Sequence, residues 1–215
     1  MSCNVLTVGV LMFGVNQFLD VSAVDLLGML SKKYLKYAEM PQSLQDQALD
    51  LEIRYISDVP GYHPLTADAA LQVTHLMDSP ECAPGKLDIL ILPGSDKFTP
   101  SQGVLDFIRD HSASLKTTVL AICTGTWLAA AAGVFDGKTA TGPRAFYEEL
   151  RRQYPQVNWV DQRWAQDGKT WSSGNIANGQ DMMSAFIQQR WPGILSETTL
   201  GMSEVARRKQ TYGDN

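Results

Sequence analysis

The stretch TTVLAICTGTWLAAAAG, at residues 117–133, changes character in its middle. Its first part, residues 117–122, is rich in aliphatic and β-branched residues and predicts a buried strand. An alanine-rich helix is predicted over residues 126–132, ended by Gly133. Cys123 lies between the two. This order of strand, turn and helix is typical of a nucleophile elbow, in which a sharp turn projects one side chain at the carboxyl end of a sheet.

Short apolar runs alternate with helical patterns on both sides of this stretch. Further strands are predicted at residues 4–13, 51–56, 87–92 and 157–159, with a hairpin around an Asp-Gly turn at 164–172. Helices are predicted from residue 20 or 22 to 35, and at 104–111, 147–153 and 180–190. The alternation predicts an α/β fold, a mostly parallel sheet flanked by helices on both faces. We expect a single domain over residues 1–200 and a polar tail over 201–215.

Composition narrows the class of protein. The chain has 215 residues, of which 44% are apolar, and a net charge of -5. Basic and acidic residues are mixed along it, so we expect no nucleic-acid partner. No apolar stretch has the length of a membrane-spanning helix, and the early apolar region lacks the basic residues of a signal peptide. We expect a cytoplasmic protein without membrane contact.

The cysteines and histidines argue against a metal site. Cys3, Cys82 and Cys123 are an odd number with no CxxC spacing, which fits neither a disulfide scaffold nor a zinc site. The three histidines are scattered, without the spacing of ligands. We therefore expect no metal and no cofactor, in a reducing compartment.

Cys123 is the residue in this pattern that could carry chemistry. The N–H groups and the dipole of the following helix would stabilise its thiolate, and Gly125 would let that helix approach the strand closely. The alternative is a buried small apolar residue, the commonest state of a free cysteine, and position alone leaves both interpretations open. Cys3 and Cys82 lack this context, and we interpret both as structural.

Three motifs in order and spacing resemble the DJ-1/PfpI superfamily, which shares the class I glutamine amidotransferase-like fold. They are LDILILPGS at 87–95, TTVLAICTGTWLAAAAGVFDGKTAT at 117–141 and WSSGNIANGQDMMSAFI at 171–187. The Cys-Thr-Gly form of the elbow is similar to the isonitrile hydratase branch. The resemblance implies a flavodoxin-like sandwich with a nucleophile elbow, and a homodimer.

The resemblance also implies a set of site residues. It places an acid beside the cysteine, and Asp20 matches it, although an ordinary helix N-cap is the other interpretation of that residue. It implies that the carboxyl group begins protonated beside a Cys123 thiolate. The implied backbone donors are Gly94, Ser95 and Thr124, and the implied pocket loop contains Gly174, Asn175 and Ile176. Asp181 is interpreted as a buried structural group, and the run Arg207-Arg208-Lys209 as solvated charge.

Two departures from the superfamily pattern bear on the reaction. Many members carry a histidine shortly after the elbow helix, where this chain has Ala140-Thr141-Gly142-Pro143. A Cys-His-acid triad of the protease type is therefore not supported. The loop usually written Pro-Gly-Gly is Pro93-Gly94-Ser95 here, and its N–H groups remain available in principle because an oxyanion hole needs only main-chain donors.

The resemblance implies a small-molecule substrate, with three functions open. The first is hydration of an isonitrile to an N-substituted formamide, with Cys123 as nucleophile and Asp20 as acid and base. The second is a glyoxalase III-like conversion of 2-oxoaldehydes, which the absent histidine disfavours. The third is a redox-sensing or stress-protective protein with an oxidisable Cys123.

Overall fold

A computed structural model describes residues 5–213, so Cys3 and the start of the first predicted strand lie outside the described residues. The strands are β1 Leu6–Leu11, β2 Leu51–Ser57, β3 Tyr62–Pro64, β4 Ala70–Gln72, β5 His75–Leu76, β6 Ile89–Leu92, β7 Thr118–Ile122, β8 Thr139–Ala140, β9 Asn158–Trp159, β10 Trp164–Asp167 and β11 Thr170–Ser173. The helices are α1 Phe18–Gly28, α2 Lys32–Tyr37, α3 Gln42–Gln45, α4 Gln102–Ala113, α5 Gly125–Ala131, α6 Tyr147–Gln153, α7 Asn178–Arg190 and α8 Ile194–Ser203.

Seven of these strands form one sheet, in the order β10-β11-β7-β6-β1-β2-β5. Every neighbouring pair is parallel except β10 and β11, which form the antiparallel hairpin expected around the Asp-Gly turn. The predicted α/β fold with a mostly parallel sheet is confirmed. The short pairs β3–β4 and β8–β9 lie outside the main sheet.

The apolar runs of the central strands are explained by burial on both faces. In β6, Ile89 and Ile91 pack in one core, which includes residues of α1, α7 and α8, while Leu90 and Leu92 pack in a second core with α4, α5 and α6. Strand β7 alternates in the same way. A strand covered on both faces needs apolar residues at consecutive positions, because neither set of side chains meets solvent.

The order of the strands changes direction at β1, two strands away from the elbow that follows β7. The chain passes from β1 to its neighbour β2 on one side, while β6 and β7 lie on the other side of β1. The loops that follow β1 and β6 both lie at the carboxyl ends of the strands, where open α/β sheets bind ligands. Asn16 and Gln17 from the first loop bond the Gly94 carbonyl of the second, at 3.1 and 2.9 Å. The two loops are thus held together over the end of β7.

The single helix predicted from residue 20 or 22 to 35 is wrong. The structure has two helices, α1 and α2, separated by residues 29–31. Ser31 caps α2 by accepting the Tyr34 N–H at 3.1 Å. The buried Met29 and Leu30 continue the apolar pattern through the break, so periodicity alone could not reveal it.

The chain beyond residue 200, expected as a polar tail, begins with the end of a helix. Helix α8 continues to Ser203, and the following residues run back along the sheet edge, where Gln162 and Thr211 form an antiparallel bridge. Between residues 5 and 213, none of the helices is long and apolar enough to cross a membrane.

Candidate active site

Cys123 lies at the turn between β7 and α5 with its backbone in the left-handed region, at φ +54°. A side chain other than glycine costs energy in that conformation, and such strain is typical of nucleophile elbows. The expected role of Gly125 is confirmed, because a Cβ there would overlap the Leu92 carbonyl oxygen of β6. The sequence therefore forms the elbow by pressing the first turn of α5 against the end of the neighbouring strand.

Asp20 lies in the first turn of α1 and is completely buried. Its Oδ2 accepts the Gly94 N–H at 3.0 Å, while its Oδ1 has no hydrogen-bond partner among the described residues. The helix begins at Phe18 with Gln17 as N-cap, so the N-cap interpretation of Asp20 is wrong. A buried carboxyl oxygen without a partner is costly, and such groups require a specific reason.

Asp20 and Cys123 meet across Gly94. A Cβ on Gly94 would overlap Asp20 Oδ2 and would lie 3.3 Å from the Cys123 Cβ. Glycine at this position therefore keeps the space through which the carboxyl group reaches the thiol. The structure brings together the two residues that the sequence singled out.

Burial dominates the electrostatics of this pair. It raises the pKa of Asp20 to about 7, against the smaller lowering effects of the Gly94 N–H and of the Cys123 thiol. Burial first, and the neighbouring Asp20 charge second, raise the pKa of Cys123 to about 12. Near neutral pH the Cys123 thiol therefore holds its proton, and the Asp20 carboxyl group is divided between its protonated and ionised forms. The raised pKa of Asp20 agrees with the expectation that desolvation favours the protonated carboxyl group. The expected thiolate is not favoured, because desolvation opposes it more than the helix N-terminus favours it.

Two of the three expected backbone donors already have hydrogen-bond partners. The Gly94 N–H donates to Asp20, and the Ser95 N–H donates to Thr124 Oγ1 at 2.9 Å, so neither is free for a substrate oxygen. The hydroxyl of Thr124 in turn donates to the Ser95 carbonyl at 2.9 Å. The backbone N–H groups of Thr124 and Ile176 donate to the Cys123 sulfur, and both lower its pKa.

The three residues expected in the pocket loop also differ in their surroundings. Ile176 is half-buried and contacts the sulfur, whereas Asn175 is exposed. Gly174 is buried behind them, and its N–H donates to the Arg163 carbonyl at 2.9 Å. A Cβ on Gly174 would lie 2.9 Å from Asn178 Oδ1 and 3.0 Å from the Tyr212 hydroxyl. Gly174 therefore serves close packing of the loop, and Ile176 supplies its contact with the thiol.

No histidine takes the place of the missing one in the part of the chain that the structure describes. A Cβ on Gly142 would lie 2.5 Å from Leu150 Cδ1 and 3.2 Å from Thr126 Oγ1, so the region is filled. His63 lies in β3 and His75 in the edge strand β5, while His111 is buried in α4 with Nδ1 on the Phe107 carbonyl. Over residues 5–213, no group of three or more His, Cys, Asp or Glu could hold a metal ion.

Sequence reasoning missed the residues behind the pocket loop. Asp181 is buried as expected, but its carboxylate holds Arg208, which corrects the interpretation of that arginine as solvated charge. Tyr212 donates to Asn178, and Arg163 binds carbonyl groups of residues 209–211. These pairs are 27 to 48 residues apart in the chain, and no local pattern signals them.

Comparisons with known proteins match the chain to a known family. The model of the DJ-1/PfpI family matches residues 10–189. Isonitrile hydratase of Pseudomonas putida is 30% identical over 131 residues, which are 59% of this chain and 54% of the relative, so the match spans about half the relative's length.

Solved structures share the fold at low sequence identity. An AraC family transcriptional regulator from Pseudomonas putida superposes with a TM-score of 0.75 at 14% identity, over 93% of this chain and all of that one. Drosophila melanogaster DJ-1beta gives 0.74 at 15% identity, over 94% and 98%. Schizosaccharomyces pombe DJ-1 gives 0.69 at 15% identity, over 93% and 99%. With a family model covering most of its length, the chain belongs to the DJ-1/PfpI family.

Proposed function

We propose that this protein is a cysteine-dependent hydratase that adds water to an isonitrile and releases an N-substituted formamide. The observation that carries the proposal is the buried Asp20 carboxyl group beside the Cys123 thiol, at the carboxyl ends of the parallel strands. The similarity to an isonitrile hydratase supports the choice of substrate.

In the first half of the reaction, the ionised Asp20 accepts the thiol proton as the Cys123 sulfur bonds to the terminal isonitrile carbon. Asp20 then delivers that proton to the same carbon, which gives a thioimidate and restores the carboxylate. The pKa of about 7 suits a group that must both take and return a proton near neutral pH. The N–H groups of Thr124 and Ile176 stabilise the negative charge that develops on sulfur.

In the second half, the Asp20 carboxylate takes a proton from water as its oxygen bonds to the thioimidate carbon. Asp20 gives that proton to the substrate nitrogen, then takes the hydroxyl proton of the adduct as the carbon–oxygen double bond forms and the carbon–sulfur bond breaks. It passes this second proton to the sulfur, and the formamide leaves. One water is consumed and the enzyme returns to its starting protonation state. A single carboxyl group can serve both halves because the proton it takes is returned each time.

The alternatives receive less support from the site. The filled region at Gly142 offers no histidine for glyoxalase-type proton transfer. A redox sensor needs an accessible thiolate, whereas burial raises the pKa of Cys123. The homodimer also stays a proposal, to be tested by light scattering; half-exposed Phe18 and Leu19 on α1 offer apolar surface for a partner.

The test is incubation with an aromatic isocyanide and chromatographic detection of the formamide. The wild type and a Cys82→Ala variant are expected to turn it over, and Cys123→Ala to be inactive. Turnover by Cys123→Ala would remove the proposed mechanism. Consumption of methylglyoxal without formamide production from the isocyanide would favour the glyoxalase-like function instead.

A further inference from the structure

The chain from Val205 to Gly213, which we call the C-terminal strap, is fixed by Arg163. The Arg163 backbone N–H donates to the Gln210 carbonyl at 2.7 Å. Its Nη1 donates to the Lys209 and Thr211 carbonyls at 2.9 and 2.6 Å. Arg163 is itself 9% exposed, so these bonds form away from water. The strap is therefore held through its backbone by Arg163. The carbonyl of the same arginine accepts the Gly174 N–H.

Two side chains of the strap then reach the first turn of α7. Arg208 binds the Asp181 carboxylate three times, through its backbone N–H at 2.8 Å, Nε at 3.0 Å and Nη2 at 2.8 Å. The Asp181 side chain is 2% exposed and that of Arg208 is 38% exposed, so the carboxylate depends on this arginine.

Tyr212 makes the second connection. Its hydroxyl donates to Asn178 Oδ1 at 2.8 Å and lies over Gly174. Its ring packs against the guanidinium groups of Arg144 and Arg163, at 4.5 and 4.9 Å from the ring centre. These two cation–π contacts restrain the ring, so the hydroxyl is held in a defined position.

Both connections surround the loop that contacts the nucleophile. Ile176 lies between Gly174 and Asn178 and donates its N–H to the Cys123 sulfur. Within the loop, Asn178 N–H donates to the Asn175 carbonyl at 2.7 Å and Gly179 N–H to the Ile176 carbonyl at 3.1 Å. A displacement of Asn178 would therefore move Ile176 as well. The side chain of Ala177, the N-cap of α7, makes no capping bond, so the strap supplies the anchoring that a cap would otherwise give.

We propose that the C-terminal strap positions the Ile176 N–H on the Cys123 sulfur, with Tyr212 and Arg208 as positioning residues that act through Asn178 and Asp181. The consequence for catalysis rests on the proposed hydratase function. Because the N–H stabilises charge that develops on sulfur, displacing it lowers kcat and leaves KM nearly unchanged.

The test compares full-length Tyr212→Phe and Arg208→Gln with Arg207→Gln, which removes a neighbouring exposed charge that makes no contact with α7. Hydrogen exchange of the peptide covering residues 174–178 measures the position of the loop without any substrate. Tyr212→Phe keeps the ring and removes one hydrogen bond, so it remains informative if Arg208→Gln fails to fold. In Tyr212→Phe we expect hydrogen exchange in this loop to be about threefold to tenfold faster, and kcat on the isocyanide to be lower by about the same factor. In Arg207→Gln we expect both quantities to stay at their wild-type values.

The outcomes separate this proposal from the proposed function. Unchanged loop exchange in Tyr212→Phe would overturn the positioning role, whatever the turnover. Faster exchange with an unchanged kcat would overturn its part in catalysis. Faster exchange in a protein that hydrates no isocyanide would support the positioning role and remove the hydratase. A rise in KM alone would show that the strap shapes substrate binding and would contradict the proposal.

Discussion

Cys82 and Cys123 are two cysteines of one chain in contrasting surroundings. Cys82 ends a short 3-10 turn, is completely buried in the core that includes α4, α5 and α6, and uses its backbone N–H on the Ser79 carbonyl. Cys123 is half-buried at the carboxyl end of β7. Burial raises the pKa of both thiols, to about 11 for Cys82 and about 12 for Cys123.

The comparison shows that burial does not distinguish a reactive cysteine from a structural one. Both thiols hold their protons at neutral pH. What Cys123 has in addition is a buried carboxyl group that can take and return that proton, and two N–H groups aimed at sulfur. Among the described residues, Cys82 has neither a buried carboxyl group beside it nor such N–H groups. The charges that act on it are those of Arg54, Glu81 and Glu52, and both carboxylates are exposed to solvent.

Replacing the proton acceptor gives the largest expected effect. In Asp20→Asn the thiol proton has no acceptor, so Cys123 becomes chemically similar to Cys82, and kcat on an isocyanide falls by roughly 10²- to 10⁴-fold. Asp25→Asn, an exposed carboxyl group on the same helix, is the matched control and retains wild-type kcat. Equal activity of the two variants would show that the carboxyl group does not distinguish the cysteines.

The same carboxyl group makes stability depend on pH in an unusual direction. Its pKa is about 7 in the folded state and near 3.8 when unperturbed, so the folded state holds the proton more tightly. Stability is therefore lost as pH rises from about 4 to about 7, by on the order of 4 kcal/mol, and is constant above. Denaturant unfolding of wild type and Asp20→Asn over this range isolates the effect as a difference. A difference that grows in the opposite direction, or none, would mean that the carboxyl group is solvated.

The space between the Asp20 carboxyl group and the Cys123 thiol can be filled by a substitution at Gly94. In Gly94→Ala the new Cβ overlaps Asp20 Oδ2, so the carboxyl group must move away from Cys123. We expect a loss of about 1–3 kcal/mol in the free energy of unfolding and a lower kcat. Gly201→Ala, in α8, is the control, because its Cβ would contact no other residue. We expect it to keep the wild-type stability and kcat. Full activity in Gly94→Ala would show that the close approach is dispensable.

Truncating the structural cysteine gives the smallest effect. Cys82→Ala leaves a small cavity in the second core, and we expect a loss of about 1 kcal/mol in stability with kcat unchanged. Thermal unfolding and isocyanide turnover measure the two quantities on one sample. A marked fall in kcat without a fall in stability would reverse the roles assigned to the cysteines.

The sequence predicted the elbow because the required features are local. A run of aliphatic residues, a cysteine and Gly125 specify a strand, a turn and a close approach within nine positions, from 117 to 125. The main sheet followed from the same kind of run in β1, β6 and β7. Asp20 came only from the family resemblance, because the residues alone favoured an N-cap.

The remaining features depend on contacts between distant parts of the chain. Whether the N–H groups of Gly94 and Ser95 are free depends on Asp20 and Thr124, which are 74 and 29 residues away. The pKa order of the pair depends on how deeply both groups are buried, which no motif encodes. The strap has a charged composition typical of a solvated tail, and only its long-range bonds to Asp181 and Arg163 reveal its place.

The central claim is that a buried carboxyl group with a raised pKa lies beside the Cys123 thiol and can take its proton. The most direct measurement is a titration of the Asp20 carboxyl carbon by NMR in protein with isotope-labelled aspartate, assigned by its absence in Asp20→Asn. The account predicts a midpoint near 7, the result of burial beside sulfur. A midpoint near 3.8, the ordinary value for aspartate, would contradict it.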